Sequence, residues 1–164
     1  MILDTQSVRA ATGVPVATTG RDAAKRVPGR KRGLAVDVLG LVIAVTVLAA
    51  SVHDNAAGIT LLDQVAAAGG SVSKARSTRA SRTRSSRTGP PSVSTSRSSS
   101  ATLRSGGFVP QPKRWRVEQT FGILILHRRL VRDYEHRPAS SASRVHWAMT
   151  HVMARRLTDT TTPT

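Results

Sequence analysis

Ile2 to Val8 is a short stretch bounded by apolar residues with a carboxylate, Asp4, inside it, and it reads as a strand. Gly, Pro and scattered charge over residues 9–29 read as a loop. Leu34-Ala35-Val36-Asp37-Val38 and Leu41 to Ala49 are rich in Val and Ile and flank Gly40, a natural turn residue. This is the pattern of a β-hairpin, and its nearly all-apolar second strand is expected to be central and buried. Asp54-Asn55 is placed to cap a helix reaching about Ala68, with Ile59, Leu62 and Val65 on one face and Gly69-Gly70 as its stop. Beyond a polar stretch, Trp115, Phe121, Ile125 and Leu126, and also Val117, Leu124 and Val131, recur at helical spacing. They predict a helix from about Arg114 to Glu135, ended near Arg137-Pro138. A third helix is expected from about Ser141 to Leu157, with Val145, Ala148, Met149 and Val152 inward.

Charge divides the chain more sharply than hydropathy does. Of 164 residues, 25 are Lys or Arg and 9 are Asp or Glu, a formal net charge of +16. Residues 71–107 hold eight basic and no acidic residues, with thirteen Ser and only six apolar side chains. Such a segment cannot bury enough surface to offset its ordering entropy, so disorder is expected there. The chain then reads as two structured pieces around a basic spacer. The excess charge points to a polyanionic partner, usually nucleic acid.

Other features mainly exclude. There is no cysteine, hence no disulfide, thiolate metal site or Cys nucleophile. Met1-Ile2-Leu3-Asp4 lacks the basic-then-apolar pattern of a secretory signal. The apolar run from Leu39 to Val52 falls short of the about 20 residues a spanning helix needs, so no membrane partner is expected. Arg30-Lys31-Arg32 reads as a turn flanking the hairpin, and His146 and His151 as surface or packing residues.

Two carboxylates stand out by their surroundings. Glu118 lies in Arg114-Trp115-Arg116-Val117-Glu118-Gln119-Thr120-Phe121, followed by Arg128-Arg129-Leu130-Val131-Arg132-Asp133-Tyr134-Glu135. Taken together, these words resemble the C-terminal signature of DDE transposases of bacterial insertion sequences. Asp4-Thr5-Gln6-Ser7-Val8 resembles the segment with that family's first catalytic Asp, and Gly29 to Leu41 resembles its following hairpin. The resemblance implies an α/β, RNase H-like fold, a mixed sheet with flanking helices. It implies that Asp4 and Glu118 are the first and third catalytic, metal-binding carboxylates. Mg²⁺ is the implied metal, because a hard cation takes oxygen ligands, and paired metals serve phosphodiester transfer. Arg114, Arg116, Arg128, Arg129 and Arg132 would lie against DNA phosphates, where they position rather than specify. The implied partners are DNA and, in intact members, a second copy in a homodimer. The implied location is the bacterial cytoplasm, at the nucleoid.

The sequence departs from this family in the middle. The second catalytic Asp should follow the first helix, on a strand ending in a Val-Asp-x-Gly-Phe/Tyr word, yet no acidic residue stands between Asp63 and Glu118. Residues 76–83, Arg-Ser-Thr-Arg-Ala-Ser-Arg-Thr, can be encoded so that a one-base shift spells Val-Asp-Gln-Gly-Phe-Lys-Asn. The shifted Asp codon straddles Ser77 and Thr78. The basic set is also thinner than in some relatives, since Gln111 and Ile125 stand where those carry Tyr and Lys. The expectation is therefore an incomplete RNase H-like fold. Residues 1–70 supply its N-terminal part, 71–107 are a disordered Ser/Arg/Thr-rich insert, 108–157 supply its C-terminal helices, and 158–164 are a tail. The family's helical region before the first Asp is expected to be missing. The expected function is that of an insertion-sequence transposase, here a catalytically inactive, frame-shifted remnant. The alternative is a non-enzymatic basic nucleic-acid-binding protein that uses its Arg/Ser arm.

Overall fold

The computed structural model describes residues 1–68, 76–77 and 115–158. The insert expected to be disordered and the tail fall outside these residues, except that Arg76–Ser77 form a short strand and Thr158 ends a helix. The chain begins with β1 (Ile2–Arg9), passes a single 3₁₀ turn (Val16–Thr18) and a two-residue β2 (Gly20–Arg21), and enters β3 (Pro28–Val36). Then come β4 (Val42–Ala49), α1 (Asp54–Ala67), β5 (Arg76–Ser77), α2 (Trp115–Ile125), α3 (Arg128–Val131) and α4 (Pro138–Thr158). β3 is the axis of the sheet. It pairs antiparallel with β1, Asp4 opposite Leu34, and with β4, Ala49 opposite Arg30. β5 lies parallel to the start of β1, Arg76 beside Ile2 and Ser77 beside Leu3. This is the mixed α/β sheet with flanking helices that the family resemblance implies.

Helices cover both faces. Leu34 and Val36 of β3 and Val45 and Val47 of β4 pack with Ile2 against Val117, Phe121 and Leu124 of α2 and Val145, Ala148 and Met149 of α4. On the opposite face Leu3, Ala35 and Ala44 pack against Leu61 and Val65 of α1. The second hairpin strand is therefore buried, but it is not central. Among the described residues β4 pairs with β3 only, and its apolar run, broken only by Thr46, reflects helices on both sides. The hairpin turns at Gly40, whose φ of 81° is left-handed. No helix among the described residues is long and apolar enough to cross a membrane.

Several local expectations are corrected. The loop expected over 9–29 contains β2 and the 3₁₀ turn, and β3 already starts at Pro28. α1 is capped by His53, whose Nδ1 accepts the Asn55 amide at 3.2 Å, rather than by Asp54-Asn55. Its buried face is Ala57, Gly58, Leu61 and Val65, with Ile59 turned outward. That rotation brings Leu61 over Gly33, where a Cβ would stand 3.0 Å from Leu61 Cδ1.

The largest correction concerns Arg30-Lys31-Arg32, which is not a turn. All three are buried inside β3, on alternating faces. Arg30 and Arg32 face α3 and the chain after it. Arg30 donates to the carbonyls of Glu135 (2.7 Å) and His136 (2.9 Å), and Arg32 to those of Leu130 (2.6 Å) and Arg132 (3.5 Å). The single helix expected to reach Glu135 stops at Ile125, where the Leu126 and His127 amides turn back to Ile123 O (3.2 Å) and Leu124 O (3.1 Å); the two guanidiniums hold the chain at and after α3. Carbonyls of α3 and of the turn between α3 and α4 accept from these two guanidinium groups in the sheet. Leu126-His127 make the break, α3 adds one turn, and Asp133 bonds back to β1 through Asp133 N–H to Arg9 O (2.9 Å) and Ala11 N–H to Asp133 O (2.7 Å). Pro138 then opens α4 rather than ending a helix, since the first turn needs no amide donor there.

Lys31 faces the other way, under the start of α1. Its ammonium donates to Val52 O (2.6 Å) and Asp54 Oδ1 (2.7 Å) and lies 3.9 Å from Asp22. The Ser7 hydroxyl above all, with the Lys25 amide, holds Asp22 below the usual carboxylate range; burial opposes this, and Lys31 and the Ala24 amide reinforce it. For Asp54 burial pushes the pKa up, but hydrogen bonds from Lys31 and Thr5 and the nearby lysine charges outweigh it. Both carboxyls titrate lower folded than unfolded, so their stabilisation is full above the unfolded pKa and is lost as pH falls through the folded one. Stability should therefore hold near neutrality and decline below about pH 4. Urea midpoints measured across that range check this. In an Asp22→Asn/Asp54→Asn double variant the decline should be shallower.

Candidate active site

Asp4 is half-buried in the middle of the sheet. Its antiparallel partner is Leu34, and opposite residues point to the same face. Leu34 belongs to the face covered by α2 and α4, so Asp4 lies on that face too. Glu118 is exposed in the first turn of α2, next to the buried Val117. α2 packs against β1 and runs in the same direction. At its middle, the Thr120 hydroxyl donates to Gly40 O (2.8 Å), and near its start Arg116 O faces the same Gly40, 3.7 Å from where a Cβ would stand, at the Ile2/Val36 end of the sheet. At its end, Ile125 lines the same cleft as Gln6 and Val8. Glu118 and Ile125 are two turns apart on one stripe of the helix, as Asp4, Gln6 and Val8 share one stripe of β1. The elements bearing the two carboxylates are thus laid along each other, with both residues toward the same end.

A cleft of about 290 Å³ continues from there, lined among others by Gln6, Val8, Arg9, Ile125, Leu130 and Arg132. Arg9 and Gln6 were not singled out from the sequence. The only available signal for Arg9 was a cation closing a strand that carries a carboxylate. Arg132, Arg128 and Arg129 are exposed, as phosphate contacts require. Arg129 is also held by Glu135 (3.1 Å) and sits over the Tyr134 ring, 5.8 Å from its centroid. Arg116 is half-buried, its guanidinium 3.9 Å from the Trp115 ring centroid. Arg114 lies outside the described residues.

The arrangement does not fit a paired-metal site. The strand that follows α1 and joins β1 in parallel is where a further carboxylate would stand, and it is made of Arg76 and Ser77. Among the described residues no group of three or more His, Asp or Glu could hold a metal ion. The whole sequence offers no acidic residue between Asp63 and Glu118, and Asp63 sits on α1, across the sheet from Asp4.

An antiparallel meander, a helix, a parallel strand returning beside β1 and further helices on the opposite face define an RNase H-like α/β domain. Residues 1–81, just under half of the chain, match the family model of the transposase DDE domain, which supports a DDE transposase. The match ends just past β5. No curated protein and no solved structure matches the chain. Members of this family act on DNA with the help of divalent metal ions.

Proposed function

We propose that this chain is a remnant of an insertion-sequence transposase that still contacts DNA but does not cut it. One observation carries the reading: β5, the strand beside Asp4's strand, supplies Arg76 and Ser77, and no carboxylate is within reach in the sequence. Asp4 and Glu118 are the first and third carboxylates of the family's set. Alone they are two ligands where shared Mg²⁺ ions need three positions, so no chemical step is assigned to a metal here. The shifted reading frame supports the same view. It would place its Asp at the junction of Ser77 and Thr78, and Ser77 stands one residue short of the level of Asp4. Arg128, Arg129 and Arg132, with Arg9 at the cleft, supply the DNA contacts.

The test is a cleavage assay with Mg²⁺ or Mn²⁺ on DNA carrying the element's ends. The chain as written should give no nicked product. Metal-dependent nicking that disappears in Glu118→Gln would overturn the proposal. A version with the reading frame restored over residues 76–107 should bind the metal more tightly than the present chain. It should also regain some cleavage.

A further inference from the structure

α4 has an outward flank that neither the core nor the two carboxylates explain. Its inward stripe is Ser141, Val145, Ala148 and Met149. Trp147 is 71% exposed, so it is not a core residue. Arg144 lies three residues before it, His151 four after and Arg155 eight after, spacings that share one side of a helix. The His151 ring meets His127 edge-on, centroids 5.5 Å apart. That contact joins the flank to the α2–α3 corner, where Leu126 is 82% exposed and Arg128 follows. The 21 residues of α4 include Arg144, Arg155, Arg156 and two His but no Asp or Glu. Among the described residues, the carboxylate that meets this flank is Glu135, which accepts from Arg144 Nε at 3.2 Å.

The chemistry of this flank selects a partner. An apolar protein surface could cover Trp147, but it would strip water from Arg155 and its neighbours without supplying counter-charge. A rigid duplex satisfies cations through its phosphates but keeps its base faces stacked inside. A single strand offers both groups: phosphates at the spacing of a basic stripe and unstacked base faces for an aromatic ring. We propose that the α4 flank binds single-stranded DNA, with Trp147 stacking on a base and Arg155 and Arg128 taking phosphates. This rests on the reading that the chain contacts DNA, but it assigns a surface and a strand state that the family match does not.

The full chain can be titrated with a fluorescently labelled oligothymidine and, separately, with a duplex, at one fixed salt concentration. Trp147→Ala should weaken oligothymidine binding about 5- to 100-fold, the range for loss of one base-stacking ring. Trp147→Phe should keep most of the affinity, and duplex binding should change little in either variant. In Trp115→Phe, where Trp147 is the single tryptophan, oligothymidine should quench the emission. Unaltered oligothymidine binding in Trp147→Ala, with duplex binding present, would refute the surface while leaving DNA contact standing. Absence of binding to either DNA would sink both readings. A change in sedimentation behaviour on Trp147→Ala with no change in DNA affinity would make the flank a protein contact and overturn the proposal.

Discussion

Replacing Asp133 with alanine should destabilise the protein by about 3–5 kcal/mol, the cost of leaving a buried charge without its partner. Arg30 and Asp133 are both fully inaccessible, with Arg30 Nη1 3.4 Å from Asp133 Oδ1. Asp133 also accepts from the Glu135 amide (3.1 Å) and the Ser141 hydroxyl (2.7 Å), so one carboxylate organises the segment between α3 and α4. Without it, Arg30 keeps its backbone acceptors and Thr18 but loses its negative charge, and Ser141 loses its acceptor at the start of α4. Burial already pushes the neighbouring Arg32 downward in pKa while Asp133 pulls it back up, so two guanidiniums depend on this anion. Urea unfolding of Asp133→Ala, with slope and midpoint fitted together, checks the figure. A companion Arg30→Met/Asp133→Leu variant should lose less than Asp133→Ala, since no lone buried charge remains. It should not return to the parent value, because the carbonyls of Glu135 and His136 lose their donor. A loss below about 1 kcal/mol for Asp133→Ala would mean the pair is solvated.

Gly29→Ala should be comparably severe. Gly29, the second residue of β3, has φ of 148°, and an added Cβ would collide with Val8 O and stand 2.5 Å from Ala10 N. Those are backbone atoms of β1 and of the residue after it, fixed by the ladder that runs from Ile2↔Val36 to Arg9↔Gly29 and by the Ala10 amide on Pro28 O (3.4 Å). Neither side can yield without breaking pairing at the end that also holds Asp133. Backbone strain alone costs about 1–3 kcal/mol, and lost pairing adds to it. The control is Gly13→Ala, where a Cβ meets nothing within 4 Å and should be near neutral. Thermal midpoints of the two variants should separate clearly; equal midpoints would show that the start of β3 adapts.

The sequence was readable where hydrophobic pattern and local turn chemistry coincide. Ile2 to Val8, the hairpin around Gly40, the helix from Asp54 and the helix after Pro138 needed only their own residues. The family words around Asp4 and Glu118 pointed to a DDE transposase, and the match over residues 1–81 agrees. The same text showed the gap in acidic residues, which is a property of composition and needs no fold.

Three matters were decided by tertiary structure. Arg30-Lys31-Arg32 read as a turn flanking the hairpin; inside the sheet their long side chains reach carbonyls and carboxylates contributed by residues up to Glu135 and His136, a separation no local pattern encodes. The helix predicted to reach Glu135 broke at Leu126-His127, and the chain at and after α3 was tied to the sheet by those same guanidiniums. β5 took its place beside Ile2 and Leu3 in the middle of Ser/Arg text with no strand pattern, because the start of β1 presents an edge that backbone groups can pair with whatever their side chains. Sequence alone thus determined β1, the hairpin, α1 and α4, the charge and the missing acid. Only the packed sheet decided where the buried cations went and which residues stand beside Asp4, because both depend on hydrogen-bond partners far apart in the chain.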